Sequence, residues 1–151
     1  PIKTSDGLHS VKRVLQITEV RKHWTSDPLL ENGFVDLVRY NVEKDELEPT
    51  QELINGDSEI IKNIAGRVKD WAGNWDAVYD NIILRGKTKQ EIIEAAIKLN
   101  KPILMEAKFN SMSNGAFHRI SEDVRLKEKK INSDLIFEKW KEWLYKNAEN
   151  F

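Results

Sequence analysis

The chain has 151 residues, 40% hydrophobic and 32% charged, a composition that suits one domain or a small domain with an appendage. A formal net charge of −1 gives no global field to draw in nucleic acid, and the absence of cysteine excludes disulfides, thiolate zinc sites and cysteine nucleophiles together. No apolar run reaches the roughly 18 residues that would span a membrane, and the opening PIKTSDGLHS lacks the apolar centre of a signal peptide.

Val11 to Val20, VKRVLQITEV, is rich in β-branched residues and alternates Leu15 and Ile17 with Gln16 and Thr18, the period of a half-buried strand. Pro28 and Gly33 mark a loop after Arg21, Lys22, His23 and Trp24. Phe34 to Val42 reads as a second strand, with Phe34, Val38, Tyr40 and Val42 on one face and Asp36 interrupting it. The turn Glu43–Glu46 has hairpin length. Leu47 to Leu53 would return as a short third strand, confined to an edge by Pro49, which has no N–H to donate.

From Asp57 to Gly86 the pattern turns helical. Ile60, Ile61, Ile64, Ala65 and Val68 recur at helical spacing, and Trp75, Val78, Tyr79 and Ile82 repeat it after Gly73-Asn74. The sequence thus predicts two helices meeting at a corner flanked by Trp71 and Trp75, each able to bury about 150–250 Å². One kinked helix whose indoles cover its own bend is the alternative. Asp57 or Ser58 suits the first N-cap and Asn74 the second, with Gly86 as a left-handed terminator. Thr88 and Glu91 form a T-x-x-E capping box ahead of Ile92, Ile93, Ala96 and Ile97. Ile103–Met105 can form a further turn. Ser113 or Asn114 would cap a helix carrying Ala116, Phe117, Ile120 and Val124. Ser133 would cap a last one, with Ile136, Phe137, Trp140, Trp143 and Leu144 inside. The expected fold is α+β: a small antiparallel hairpin or sheet over residues 1–56, then a bundle of about five helices over 57–151, with Trp71, Trp75, Trp140 and Trp143 holding the main core.

Chemistry-bearing motifs are absent. Neither G-x-x-x-x-G-K-[ST] nor G-x-G-x-x-G occurs, and His9, His23 and His118 fall in no metal-ligating spacing. The acidic clusters Glu122-Asp123 and Glu43 with Asp45-Glu46 read as solvated faces with ordinary pKa values. Arg125 to Lys130 reads as a helix end with cations near the negative pole of the dipole. Basic and acidic side chains number 7 and 10 in residues 1–56, 7 and 7 in 57–100, and 10 and 8 in 101–151, which opposes a clustered nucleic-acid face. One local excess remains. Lys12, Arg13, Arg21 and Lys22 on the first strand have only Glu19 as local counter-charge, and are the candidate interaction surface. Edge protection and solubility account for them equally well.

The order of elements, HSVKRVLQITEVRKHW, then GFVDLVRYNVEKDELEPTQELINGDSEIIKNIAGRVKDWAGNWDAVYDNI, then NGAFHRISEDVRLKEKK and the EKWKEWL helix, resembles the C-terminal region of archaeal type II/IV secretion-system ATPases. These are hexameric motors related to those of pili and archaella. In that family a strand ending in T-E-[VI], here Ile17-Thr18-Glu19-Val20, closes the ATPase core, and a hairpin and helical region follow. The resemblance implies a cytoplasmic, non-catalytic piece that begins inside the last strands of the core, to which Pro1 without an initiator Met conforms. The family's phosphate-binding and histidine boxes have no counterpart here, so no catalytic, cofactor or metal residue carries over. ATP and magnesium would belong to the parent. The implied partners are the remainder of the ATPase, neighbouring subunits and the cytoplasmic face of a membrane platform protein, with peripheral membrane association through them and neither nucleic acid nor a membrane span. A stand-alone helical nucleic-acid-binding or protein-interaction module, and a small enzyme with a pocket assembled at long range, are the other classes.

Overall fold

The computed structural model describes residues 2, 3 and 10–151, with side chains from Lys12 onward. His9 lies outside the described residues. Strands β1 (Ile2–Lys3) and β2 (Ser10–Val11) pair antiparallel, so Val11 belongs to a separate two-stranded ribbon and the main first strand is shorter than expected. A three-stranded antiparallel sheet follows, with β4 (Phe34–Asn41) between β3 (Gln16–Val20) and β5 (Glu46–Pro49). Pro49 ends the edge strand β5, where a missing N–H costs the ladder nothing. The Asn41 side chain accepts the N–H groups of Glu43 and Lys44, which closes the hairpin turn.

On β4 the buried pair is Val35 and Leu37; of the face read from the sequence, Val38 and Tyr40 are half-buried, Phe34 is exposed, and Val42 lies exposed just beyond the strand. Side chains alternate across a strand, so the choice of face is all or none. It is settled by what covers β4. Helix α1 (Gln51–Ile54) packs on that strand, held by Thr50, whose N–H bonds the Leu37 carbonyl and whose hydroxyl donates to the carbonyls of Asp36 and Leu37.

Helix α2 (Glu59–Ala65) starts at Ser58, the expected N-cap, whose hydroxyl oxygen accepts the Ile61 N–H. It stops at Ala65, and only that residue of its apolar set is buried; Ile60 and Ile64 lie exposed. Helix α3 (Trp75–Lys98) is capped by Asn74, which accepts the Ala77 N–H. It runs unbroken through Gly86. The two helices expected over 74–86 and 88–100 are therefore one, and four α-helices rather than five lie beyond residue 57. Thr88 does not cap: its hydroxyl donates back to the Arg85 carbonyl within the helix. Glu91 accepts bonds from Tyr145 Oη and Lys141 Nζ, both at 2.9 Å, instead of reaching back to Thr88.

A 3₁₀ turn, Pro102–Met105, matches the extra turn expected at Ile103–Met105. Helix α4 (Ala107–Glu128) begins six residues before Ser113, which is buried mid-helix and lends its carbonyl to Trp140 Nε1. Helix α5 (Ser133–Ala148) is capped by Asn132 rather than Ser133. The chain forms two compact units, up to Tyr79 and from Asp80 onward, while the sequence reading draws its boundary at 56/57. In the second unit Leu84, Ile92, Leu104, Phe109, Phe117, Val124, Ile136 and Leu144 pack with Trp140, which has no exposed surface. Trp143 packs against this core, whereas Trp71 and Trp75 belong to the first unit.

Candidate interaction surface

Among the described residues β3 pairs with β4 alone, so alternate backbone amides of this strand face away from β4. Apolar side chains gather on this strand and just before it: Ile17 and Val20 on β3, and Val14 and Leu15 ahead of it, are each about half exposed or more. An irregularity between Ile17 and Thr18 shifts the register against β4, so Ile17 opposes Val38 while Thr18 opposes Asp36. An open groove of about 720 Å³ runs beside these strands, with Thr18, Val20, Leu29, Phe34, Asp36 and Arg39 among its lining residues. Part of its polar lining is internally satisfied. Thr18 Oγ1 donates to Asp36 Oδ1, and Arg39 donates to Asp36 Oδ2 through Nε (3.0 Å) and Nη2 (2.7 Å). The Thr18 hydroxyl and then Arg39 hold the Asp36 carboxyl below its ordinary pKa.

The four candidate cations divide into two kinds. Arg13 donates to Asp45 through Nε at 2.9 Å and Nη2 at 3.2 Å, and Tyr40 Oη donates to the same carboxylate. Those bonds, from Arg13 first, hold Asp45 down at about 2, which corrects the expectation of an ordinary carboxylate in the Glu43–Glu46 turn. Glu122, expected unshifted as well, is held low by Arg125. Arg21, at the other end of β3, donates through Nη2 to Asp57, and its backbone N–H bonds the Gly33 carbonyl at 2.8 Å. Lys12 and Lys22 are exposed. None of the four lies on β3 itself: Lys12 and Arg13 precede it and Arg21 and Lys22 follow it, so the expected basic strand is a strand flanked at each end by one exposed lysine and one arginine already matched to a carboxylate.

Glu19 is not their counter-charge. Its side chain is buried, accepting the Ser58 hydroxyl and, at 2.8 Å, the Glu59 N–H, so it sits on the first turn of α2. A carboxylate there satisfies an orphan amide and faces the positive end of the helix. The T-E pair thus has two jobs: Thr18 braces Asp36 across the sheet, and Glu19 ties β3 to α2. Sequence reasoning missed Asp45 and Asp57 as the arginines' partners, because each lies more than 30 positions away and no local spacing signals it.

The loop between β3 and β4 is organised by Glu31, whose carboxylate accepts the N–H groups of Thr25 (2.8 Å), Ser26 (2.9 Å) and Asp27 (3.1 Å). These bonds lower the Glu31 pKa to about 2. Leu29 and Leu30 project from this braced loop, 78% and 83% exposed. Among the described residues no helix is long and apolar enough to cross a membrane. The chain matches no protein-family model, no curated protein and no solved structure.

Proposed function

We propose that this chain is a non-catalytic C-terminal domain of a type II/IV secretion-system ATPase, acting in subunit contact, transmission of motion or docking to a membrane platform protein. The observation that carries the reading is the open side of β3. An edge strand with exposed Ile17 and Val20, preceded by exposed Val14 and Leu15, is suited to receive a further strand or an apolar partner surface. In a motor of this family the preceding strands of the ATPase core would be that partner. Glu19 supports the same reading, since a strand pinned to a helix N-terminus would pass a displacement of the sheet directly to the helical part.

A nucleic-acid module draws less support. Arg13 and Arg21 are matched by Asp45 and Asp57, and phosphate neutralisation needs unengaged cations on one face. The reading frame upstream of Pro1 tests the motor assignment. A GKT or GKS phosphate-binding loop there supports it, and deletion of residues 12–151 from that longer chain is then expected to abolish hexamer assembly or ATP turnover. A deletion chain that assembles and turns over ATP as the parent does would refute the role.

A further inference from the structure

In the second unit α3 and α4 leave a recess of about 240 Å³, lined by Arg85, Gly86, Thr88, Lys89, Asn114 and Phe117 among others and by no acidic residue. It is smaller than the roughly 300–1,000 Å³ of drug-sized sites, which suits a ligand of a few heavy atoms. Two cations of α3 are held beside it by neutral amides. Arg85 donates through Nε to Asn81 Oδ1 at 3.1 Å and through Nη1 to Asn114 Oδ1 at 3.4 Å, with its guanidinium 4.9 Å from the centre of the Phe117 ring. Lys89 Nζ donates to Asn110 Oδ1 at 3.0 Å. Asn110 is itself fixed, since its Nδ2 donates to the carbonyls of Met105 and Glu106, both at 3.1 Å. Among the described residues neither cation has a carboxylate partner. An amide oxygen orients a cation without neutralising it, so both charges are positioned and left uncompensated.

Their donors are accessible. Lys89 and Asn114 are exposed, and Arg85 is half-buried with no nitrogen both buried and unpaired. Arg85 Nη2 and Asn114 Nδ2 have no acceptor among the described residues. Gly86 is a separate observation. A glycine in a helix interior forfeits stability relative to alanine, yet here no atom lies within 4 Å of where a Cβ would stand, so the missing side chain leaves room at the recess. Two positive charges and several donors from two helices match a group with three acceptor oxygens and nearly two negative charges better than a planar carboxylate. We propose that this recess binds a phosphate group, free or at the end of a small phosphomonoester, its oxygens accepting from Arg85 Nη2, Lys89 Nζ and Asn114 Nδ2 beside Gly86. The site lies wholly in the second unit and is independent of the motor assignment.

Inorganic phosphate and glycerol 3-phosphate are the probes, titrated into the ¹⁵N-labelled full chain against chloride at equal ionic strength, which holds general screening constant. The expected result is a saturable shift of the Arg85 Nε–H and Asn114 side-chain signals at about millimolar concentration or below, with no matching response to chloride. The tighter of the two probes identifies free or esterified phosphate as the ligand. Arg85→Gln and Lys89→Gln should each weaken binding at least about tenfold, as expected for loss of a charge-assisted hydrogen bond. Gly86→Leu keeps both cations and suits a helix, and the side chain it sets at the recess should weaken binding by at least as much. An unmoved Trp140 indole signal reports an intact core in each variant. The proposal is overturned if neither probe shifts these signals more than chloride does, if both glutamine variants bind as the parent chain does, or if Gly86→Leu leaves the affinity unchanged.

Discussion

Glu19 shows how one side chain can join two elements. Its carboxylate takes the Ser58 hydroxyl while Ser58 in turn accepts the Ile61 N–H, so the N-terminus of α2 is closed by a relay of two residues 39 positions apart. Glu19→Ala would leave a buried hydroxyl and the Glu59 amide unpaired, and is expected to cost about 1–3 kcal/mol in urea unfolding. Ser58→Ala is expected to cost about 1 kcal/mol as a lost cap. Because the two share one bond, the double variant should lose less than the sum. At Asp45 the consequence is a pH dependence. Its folded pKa of about 2 lies below the ordinary 3.8, so its contribution to stability is fully present above about pH 4 and is lost as pH falls toward 2. NMR titration should return Asp45 toward 3.8 in Arg13→Gln, the variant that removes its principal donor. A carboxylate that titrates identically in both chains would mean that Arg13 does not hold it in solution.

At the level of elements, α3 holds the clearest difference between pattern and structure. Gly86 followed by Thr88-x-x-Glu91 has the form of a helix end and a new beginning, and no local rule distinguishes that from a continuous helix. What decides is tertiary: Leu84 and Ile92, on either side, are buried in the same core, and Glu91 finds Tyr145 and Lys141 on α5. Gly86 thus sits in a helix interior with open space where a Cβ would go, so Gly86→Ala is expected to stabilise by about 0.5–1 kcal/mol, read as a higher urea midpoint. Gly56 should behave oppositely. Its φ is +82° and an added Cβ would come within 2.9 Å of the Trp75 ring, so Gly56→Ala should lower the same midpoint. The presence of three strands, the Pro49 edge, the Ser58 and Asn74 caps and the last helix were legible, because each rests on short-range chemistry; the third strand, expected to run to Leu53, instead ends at Pro49, and Thr50 caps helix α1 over Gln51–Ile54. The buried face of β4 and the exposed Ile60 and Ile64 were not, since both depend on which distant element covers them.

For the molecule as a whole, the core read from the tryptophans is only half right. Trp140 lies at the centre of the second unit, so Trp140→Ala should cost about 3–5 kcal/mol in unfolding free energy and Trp143→Ala less. Trp71 and Trp75 serve the first unit instead, where large apolar side chains on β3 and its following loop remain exposed. That exposure is where the candidate surface was partly visible in advance: the basic strand was singled out, but its apolar residues and the long-range pairing of its arginines emerge only from the fold. Amide hydrogen exchange across Val14–Val20, followed in the full chain alone and with the hexameric ATPase core of its proposed parent, tests the central claim most directly. The account predicts faster exchange in the chain alone than at Leu84–Ala96 of α3, and strong protection of Val14–Val20 once the core is present. Exchange at β3 that is unchanged by the core at saturating concentration would contradict it.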